Sequence, residues 1–441
     1  MVTLSRKRIF FFIPAVVLLG LLVWSLMLYK DYKSQIQLEL GIFAGSNWDV
    51  PNWQSYRVFD EAIAEFERLH PGVKIKYRSG TQKTDYSEWF SQKIVKGTEP
   101  DVFCVLSGDF NTFASIGVMK NLDTLIKDDS GFDIGKMYVN AVKSGQFQGS
   151  QYALPIEVVP VLMFVNKTLL SKENIQLPKG SWTWEDFYNI CRSATKDTNG
   201  DGIIDQFGVY GFNWQHAVYT NGQKLFDANG NKASFNSQGV MDSVRFTVKL
   251  NSLNHNVRVT SDDFDSGKVA FRPFPFSTYR AYKPYPYRVK KYSGFEWECI
   301  NLPRGPNGDN ASELYSFLFG ISSKARHEKE AWEFLKFLTS DKNNQMNVFR
   351  YSHGVPVVRE VTESEEGRQE MLKYNPDEEN IVDMKLLSQV IEKSTVTPRF
   401  QKYEEAMNMA DKEIFQVING EKNVESALSY IDREINKFLK Q

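Results

Sequence analysis

Asp197, Asn199 and Asp201 alternate along the loop DTNGDGIIDQFG, and Gly202 follows them where an EF-hand-like calcium loop turns sharply. The Ile203 carbonyl and Asp205 continue the ligand order, and Gln206 would complete the shell where a relative could use a carboxylate. An EF-hand closes its shell with a bidentate glutamate at the twelfth position, where this chain has Gly208. The following FGVYGF reads as a strand and not as an exiting helix, so the loop is a pinned turn and not a switch. Two readings follow: a structural calcium held by these six residues, or an Asx-rich turn held by its own hydrogen bonds.

No other stretch carries reaction chemistry. The sequence holds no G-x-S-x-G elbow, no H-E-x-x-H and no phosphate-cradling loop. Its 5 histidines are scattered, and Cys104, Cys191 and Cys299 form neither a metal spacing nor a disulfide framework. Cys104 in DVFCVL reads as a small buried hydrophobe. Two carboxylates for glycoside hydrolysis need only meet in space, so a surface glycosidase stays an alternative without a motif. The expectation is a binding protein, not an enzyme. With 53 basic and 54 acidic residues there is no electrostatic reason to expect nucleic acid. The 9 Trp, 20 Tyr and 32 Phe are a different matter: beyond the core, flat rings in Asn- and Gly-rich surroundings suit stacking on sugars.

The elements that must position these residues begin after an apolar N-terminus. Arg6, Lys7 and Arg8 precede an uncharged run over residues 9–28, long enough to span a bilayer as a helix. The basic flank makes residues 1–8 a cytoplasmic tip and places the bulk of the chain outside. The run lacks a clear small-x-small cleavage site and has no cysteine just after it, which argues against a lipoprotein; a cleaved secretion signal is the alternative to an uncleaved membrane anchor. At 441 residues, two domains are expected. IQLELGIFAG reads as a strand, residues 53–69 as a helix with Phe59, Ile63, Phe66 and Leu69 on one face, and Val73, Ile75 and Tyr77 as an alternating strand. A helix over about 85–95 and the buried strand in PDVFCVL complete a parallel βαβαβ start. Ligands gather at the carboxyl ends of such strands. The loops AGSNWDVPNW and LSGDFNTFA follow the first and third strands, so Trp48 is expected at a cleft edge, as a stacking ring or an ordinary loop tryptophan. Trp214 in YGFNWQH, in a loop rich in polar donors, is a second stacking candidate.

From about residue 36 onward the chain resembles the extracellular solute-binding proteins of sugar ABC importers, the maltodextrin-binding class. The resemblance rests on an ordered set: EFERLHPGVKIKY, KGTEPDVF, YALPIEVVPVLMFVNKTLL, SWTWEDF, FDSGKVAF, and GISSKARHEKEAWEFLKFLTS followed by GVPVVRE. It implies an α/β fold of two lobes joined by crossing strands, with one lobe at about 36–153 plus 317–358 and the other at 154–316 plus 359–441. It implies capture of a carbohydrate by lobe closure and delivery to ABC permease subunits, by a monomer. A glycan-sensing or adhesive module without transport is the alternative. The resemblance also implies site residues. Asp109 would bind sugar hydroxyls with two acceptor oxygens, or cap the helix FNTFASIG. Glu157 would lie beside the crossing. Tyr279 stands where the family carries a tryptophan, and Arg399 lies where a late segment reaches back to the cleft. If Arg399 and Arg280 both faced that cleft, an acidic saccharide would be compatible with it.

Overall fold

The computed structural model describes residues 35–48, 50–77, 80–178, 180–282, 295–373 and 382–441. The tip at 1–8 and the anchor at 9–28 lie outside the described residues. Among the described residues no helix is long and apolar enough to cross a membrane.

The alternating N-terminal segments form strands β1 (Ile36–Gly41), β2 (Val73–Tyr77) and β3 (Val102–Val105). β1 pairs in parallel with both of the others. Helices Arg57–Leu69 and Lys83–Lys96 make the crossovers, the first burying Phe59 and Phe66. Gly97 ends the second helix in a left-handed conformation, φ 64°, which lets the next two N–H groups reach back to Ile94 and Lys93. A hairpin of β4 (Gln146–Phe147) and β5 (Ser150–Gln151) then leads into β6 (Ala153–Asn166), all of whose residues are buried. Strands β7 (Phe207–Val209), β8 (Val269–Pro275) and β9 (Trp297–Ile300) follow, then β10 (Glu313–Ile321), β11 (Val355–Pro356) and β12 (Thr395–Val396).

β6 is shared by both lobes. Its residues 153–160 pair antiparallel with β10, and its residues 161–166 pair with β8 and β9. A strand buried along its whole length reads as an unbroken apolar run, as PIEVVPVLMFV nearly does. The sheet order is β2-β1-β3-β10-β6-β8-β7, so β10, late in sequence, sits between β3 and β6. The first lobe has one large core, including Phe66, Phe103, Phe319 and Phe349. The second is built round Phe187 and Phe271, and round Phe235, Ile414, Leu428 and Ile431. Helix Trp184–Ala194 starts on a capping box: Thr183 accepts from the Asp186 N–H, and the Asp186 carboxylate accepts from the Thr183 N–H.

One stretch packs differently from the division expected of the sequence, which put all of 359–441 in the second lobe. Helices Arg359–Thr362, Glu365–Leu372 and Met384–Lys393 lie on first-lobe elements. Met384, Leu387, Val390 and Ile391 join the first lobe's core, Tyr138 Oη donates to Ser388 Oγ at 3.0 Å, and Asn140 Nδ2 donates to the Glu392 carbonyl at 2.6 Å. The chain then passes through β12 to helices Tyr403–Ile418 and Val424–Leu439 in the second lobe.

Candidate functional site

Among the described residues, three passages of chain run between the lobes: β6, β10 and residues 395–399. A cavity of about 450 Å³ lies where they meet, and a second of about 380 Å³ lies on the other side of residues 395–399. Both are bordered by Tyr219, Thr397, Pro398, Arg399 and Tyr403.

The larger cavity takes Ser107 and Gly108 from the loop after β3, the first residues of β10, and the start of helix Trp214–Thr220. Alternation along β10 puts Glu313 and Tyr315 on one face. Glu313 accepts from Tyr315 Oη at 2.6 Å and from Thr397 Oγ1 at 2.8 Å. Burial raises the Glu313 carboxyl above its usual range, and those two hydrogen bonds oppose the rise. Asn213 caps its helix by accepting from the His216 N–H at 2.9 Å, which holds Asn213, Gln215 and His216 at the rim. Asp411, from helix Tyr403–Ile418, accepts from Trp214 Nε1 at 2.7 Å and Gln215 Nε2 at 3.0 Å. The Tyr219 and Tyr403 hydroxyls stand 3.4 Å apart. Carboxylates, hydroxyls, amides and ring faces from both lobes therefore face one space, a mixture suited to a polyol with apolar C–H faces.

Of the residues expected to touch a ligand, Arg399 alone borders these cavities. It is buried, donating from Nη1 to Ser107 Oγ at 3.0 Å and from Nη2 to the Ser316 carbonyl at 3.4 Å. Burial lowers its pKa to about 10. The others support the lobes. Trp214 is core, though its indole positions the cavity residue Asp411. Tyr279 packs against Phe164, Phe276 and Trp297. Asp109 stands at the N-cap position of helix Phe110–Ser115 without making the capping bond, and it accepts from Ser87 Oγ.

Trp48 and Glu157 meet instead in a buried cluster behind the crossing. Ser352 Oγ donates to Glu157, and the Trp48 indole N–H lies near the same carboxyl without making a geometric hydrogen bond. Burial pushes Glu157 up to about 7 against the pull of Ser352, Trp48, the Gly354 N–H and Arg280. A Cβ on Gly354 would collide with the Glu157 carboxylate, so glycine is required there. Arg280 is also here and not beside Arg399 on the cavities: it donates to the Phe349 and Ser352 carbonyls at the end of helix Lys342–Tyr351. A cation at a helix C-terminus is favourable, and this one joins a helix following β8 to the first lobe.

The loop at 197–206 is tied by its own backbone. Asp197 accepts from the Gly200 and Gly202 N–H groups, both at 2.7 Å, and Asp201 accepts from Ile203 N at 2.8 Å. Asp205 accepts from Thr198 N and Oγ1, each at 2.8 Å, while Asn199 accepts from Asp201 N at 2.9 Å. Gln206, expected to complete a calcium shell, turns inward and donates to Glu173 at 3.0 Å and the Ala194 carbonyl at 2.8 Å. The buried position of Gln206 at the edge of β7 decides that orientation. Among the described residues no three acidic, histidine or cysteine side chains converge as a metal site would require.

Residues 51–345 match the profile of the bacterial extracellular solute-binding proteins, two thirds of the chain. The chain belongs to that family. This solute-binding protein is also 28% identical over 125 residues to a maltotriose-binding protein from Pyrococcus abyssi. That alignment spans 28% of this chain and 26% of the relative. A cyclic alpha-maltosyl-1,6-maltose binding protein from Arthrobacter globiformis superimposes with a TM-score of 0.75 at 16% identity, covering 92% of this chain and 99% of the other. An ABC substrate-binding protein from Listeria monocytogenes, solved with cycloalternan, gives 0.67 at 18% identity, again over 92% and 99%. These structures share the two-lobe α/β fold. The family is one of binding proteins.

Proposed function

We propose that this protein captures an oligosaccharide between its lobes outside the cytoplasm and delivers it, lobes closed, to the permease of an ABC importer. One observation carries the reading: Glu313, Tyr315, Arg399, Tyr403 and Asp411 come from two of the three crossing passages and the second lobe, and share a cavity with Ser107 of the first. A ligand there gains its full set of contacts only when the lobes are together, so its differential affinity drives closure. The relatives bind maltotriose, cyclic alpha-maltosyl-1,6-maltose and cycloalternan, which favours a sugar over a peptide or polyamine. We assign the protein as a monomer held to the membrane by residues 9–28.

The test is a thermal-shift screen of the purified protein against mono- and oligosaccharides, followed by calorimetry and small-angle scattering. A saccharide should raise the melting temperature, which grows with the logarithm of its concentration over Kd, and compact the particle. Stabilisation by a peptide or polyamine and by no sugar would overturn the assignment. Release of shortened products would move the protein to the glycosidases.

A further inference from the structure

Two residues that line the smaller cavity carry buried nitrogen donors without acceptors. Arg399 is 6% exposed and its guanidinium meets only neutral groups, a serine hydroxyl and a backbone carbonyl; its Nε has no partner. Asn111, 9% exposed, borders the same cavity with an amide nitrogen that also has no partner. A buried cation without a counter-charge and a buried donor without an acceptor are both costly. Their shared remedy is an acceptor carrying negative charge.

The charges round the site are sorted in a way that agrees. On the smaller cavity Lys143 and Lys224 stand at the exposed rim, and Asp227 already accepts from the Asn231 N–H at 2.7 Å and the Lys232 N–H at 3.1 Å. On the larger cavity, beyond Arg399, are Glu313, Glu404 and Asp411. An anion is repelled by the second set and drawn to the first, whereas neutral hydroxyls suit carboxylate acceptors. We infer that the captured saccharide is acidic: its carboxylate or sulfate group occupies the smaller cavity against Arg399 and Asn111, and its neutral hydroxyls face the carboxylates of the larger one. This rests on the carbohydrate reading above and names the substrate class. Arginine suits the task because its planar fork holds an oxyanion by two donors at once.

The test is calorimetry of the full chain with matched pairs. Uronate oligomers (galacturonate, mannuronate and glucuronate series) are set against the corresponding neutral hexose oligomers, sulfated oligosaccharides against their unsulfated parents, and sodium sulfate alone is the free-anion control. At least one acid should bind tenfold or more tightly than its neutral partner, with an advantage that shrinks as salt is raised. Whether uronate or sulfate ester gives that advantage identifies the group. Arg399→Gln should bring the acid down to the level of the neutral sugar, and Asn111→Ala should do so in part. The salt dependence of the unaltered protein decides the matter if the Arg399 variant fails to fold. Neutral sugars binding as tightly as acids would overturn this inference and leave the carbohydrate reading standing. Silence from every saccharide, or stabilisation by free sulfate alone, would overturn both.

Discussion

Replacing Glu157 by Gln should change how stability depends on pH, in a direction opposite to that of most carboxylates. The carboxyl is 6% exposed, and burial lifts its pKa from 4.5 to about 7 in the folded protein. Below pH 4.5 it is protonated whether the chain is folded or not, and it contributes no pH dependence. As pH rises from 4.5 toward 7, the unfolded chain loses this proton while the folded one keeps it, so stability falls across that window and levels off above it. At 1.36 kcal/mol per pH unit the full effect is roughly 3 kcal/mol. Half-buried His216 and His353, lowered by desolvation to about 4 and about 3, act the other way, since they cost stability as pH drops below 6.5. Those terms are common to both proteins and cancel in the difference. Urea midpoints of wild type and Glu157→Gln, followed by tryptophan fluorescence from pH 4.5 to 8, should therefore converge at the acid end. The variant should gain by a few kcal/mol at the neutral end. Curves that run parallel across the window would show that Glu157 is not a buried, proton-holding carboxyl.

Tyr315 is 38% exposed on the larger cavity, so Tyr315→Ala should leave the melting temperature nearly unchanged and loosen saccharide binding about tenfold by calorimetry. Gln345 is fully buried, donating to the Ile156 carbonyl at 3.0 Å and accepting from Val357 N at 2.8 Å; Gln345→Leu should cost about 2–4 kcal/mol in urea unfolding. Asp197→Ala strands the Gly200 and Gly202 N–H groups and should cost about 1 kcal/mol, equally with added calcium or chelator. A chelator-sensitive melting temperature in the wild type would restore the metal reading of that loop.

The frame was legible because it rests on short-range pattern. Alternation at Val73, Ile75 and Tyr77 and the helical spacing of Phe59 and Phe66 report burial on one face, and both elements form where expected. The site was mostly not legible. Trp48, Trp214 and Tyr279 were chosen for ring chemistry, but a large ring gains as much from burial in a core as from stacking on a ligand, and here each is less than a tenth exposed. Glu157 lies within the crossing strand β6, and its side chain points into the cluster behind it. The residues missed left one readable trace: Glu313 and Tyr315 break an apolar strand by alternation at its beginning, the mark of one wet face. Tyr219 and Tyr403 left none, since each sits in an ordinary helix and meets the other across 184 residues.

The position of β10 between β3 and β6 also sets when the protein can fold. β3 ends at residue 105, its neighbour on that side begins at 313, and the last helix to cover the first lobe ends at 393. A growing chain that has not yet emerged past residue 313 leaves β3 with one side of its backbone unpaired, and the core under Phe319 unfilled. Closing a loop of that length before any contact rewards it makes folding slow and non-local. The interleaving that lets the lobes share a hinge therefore also postpones the first lobe until synthesis is nearly over.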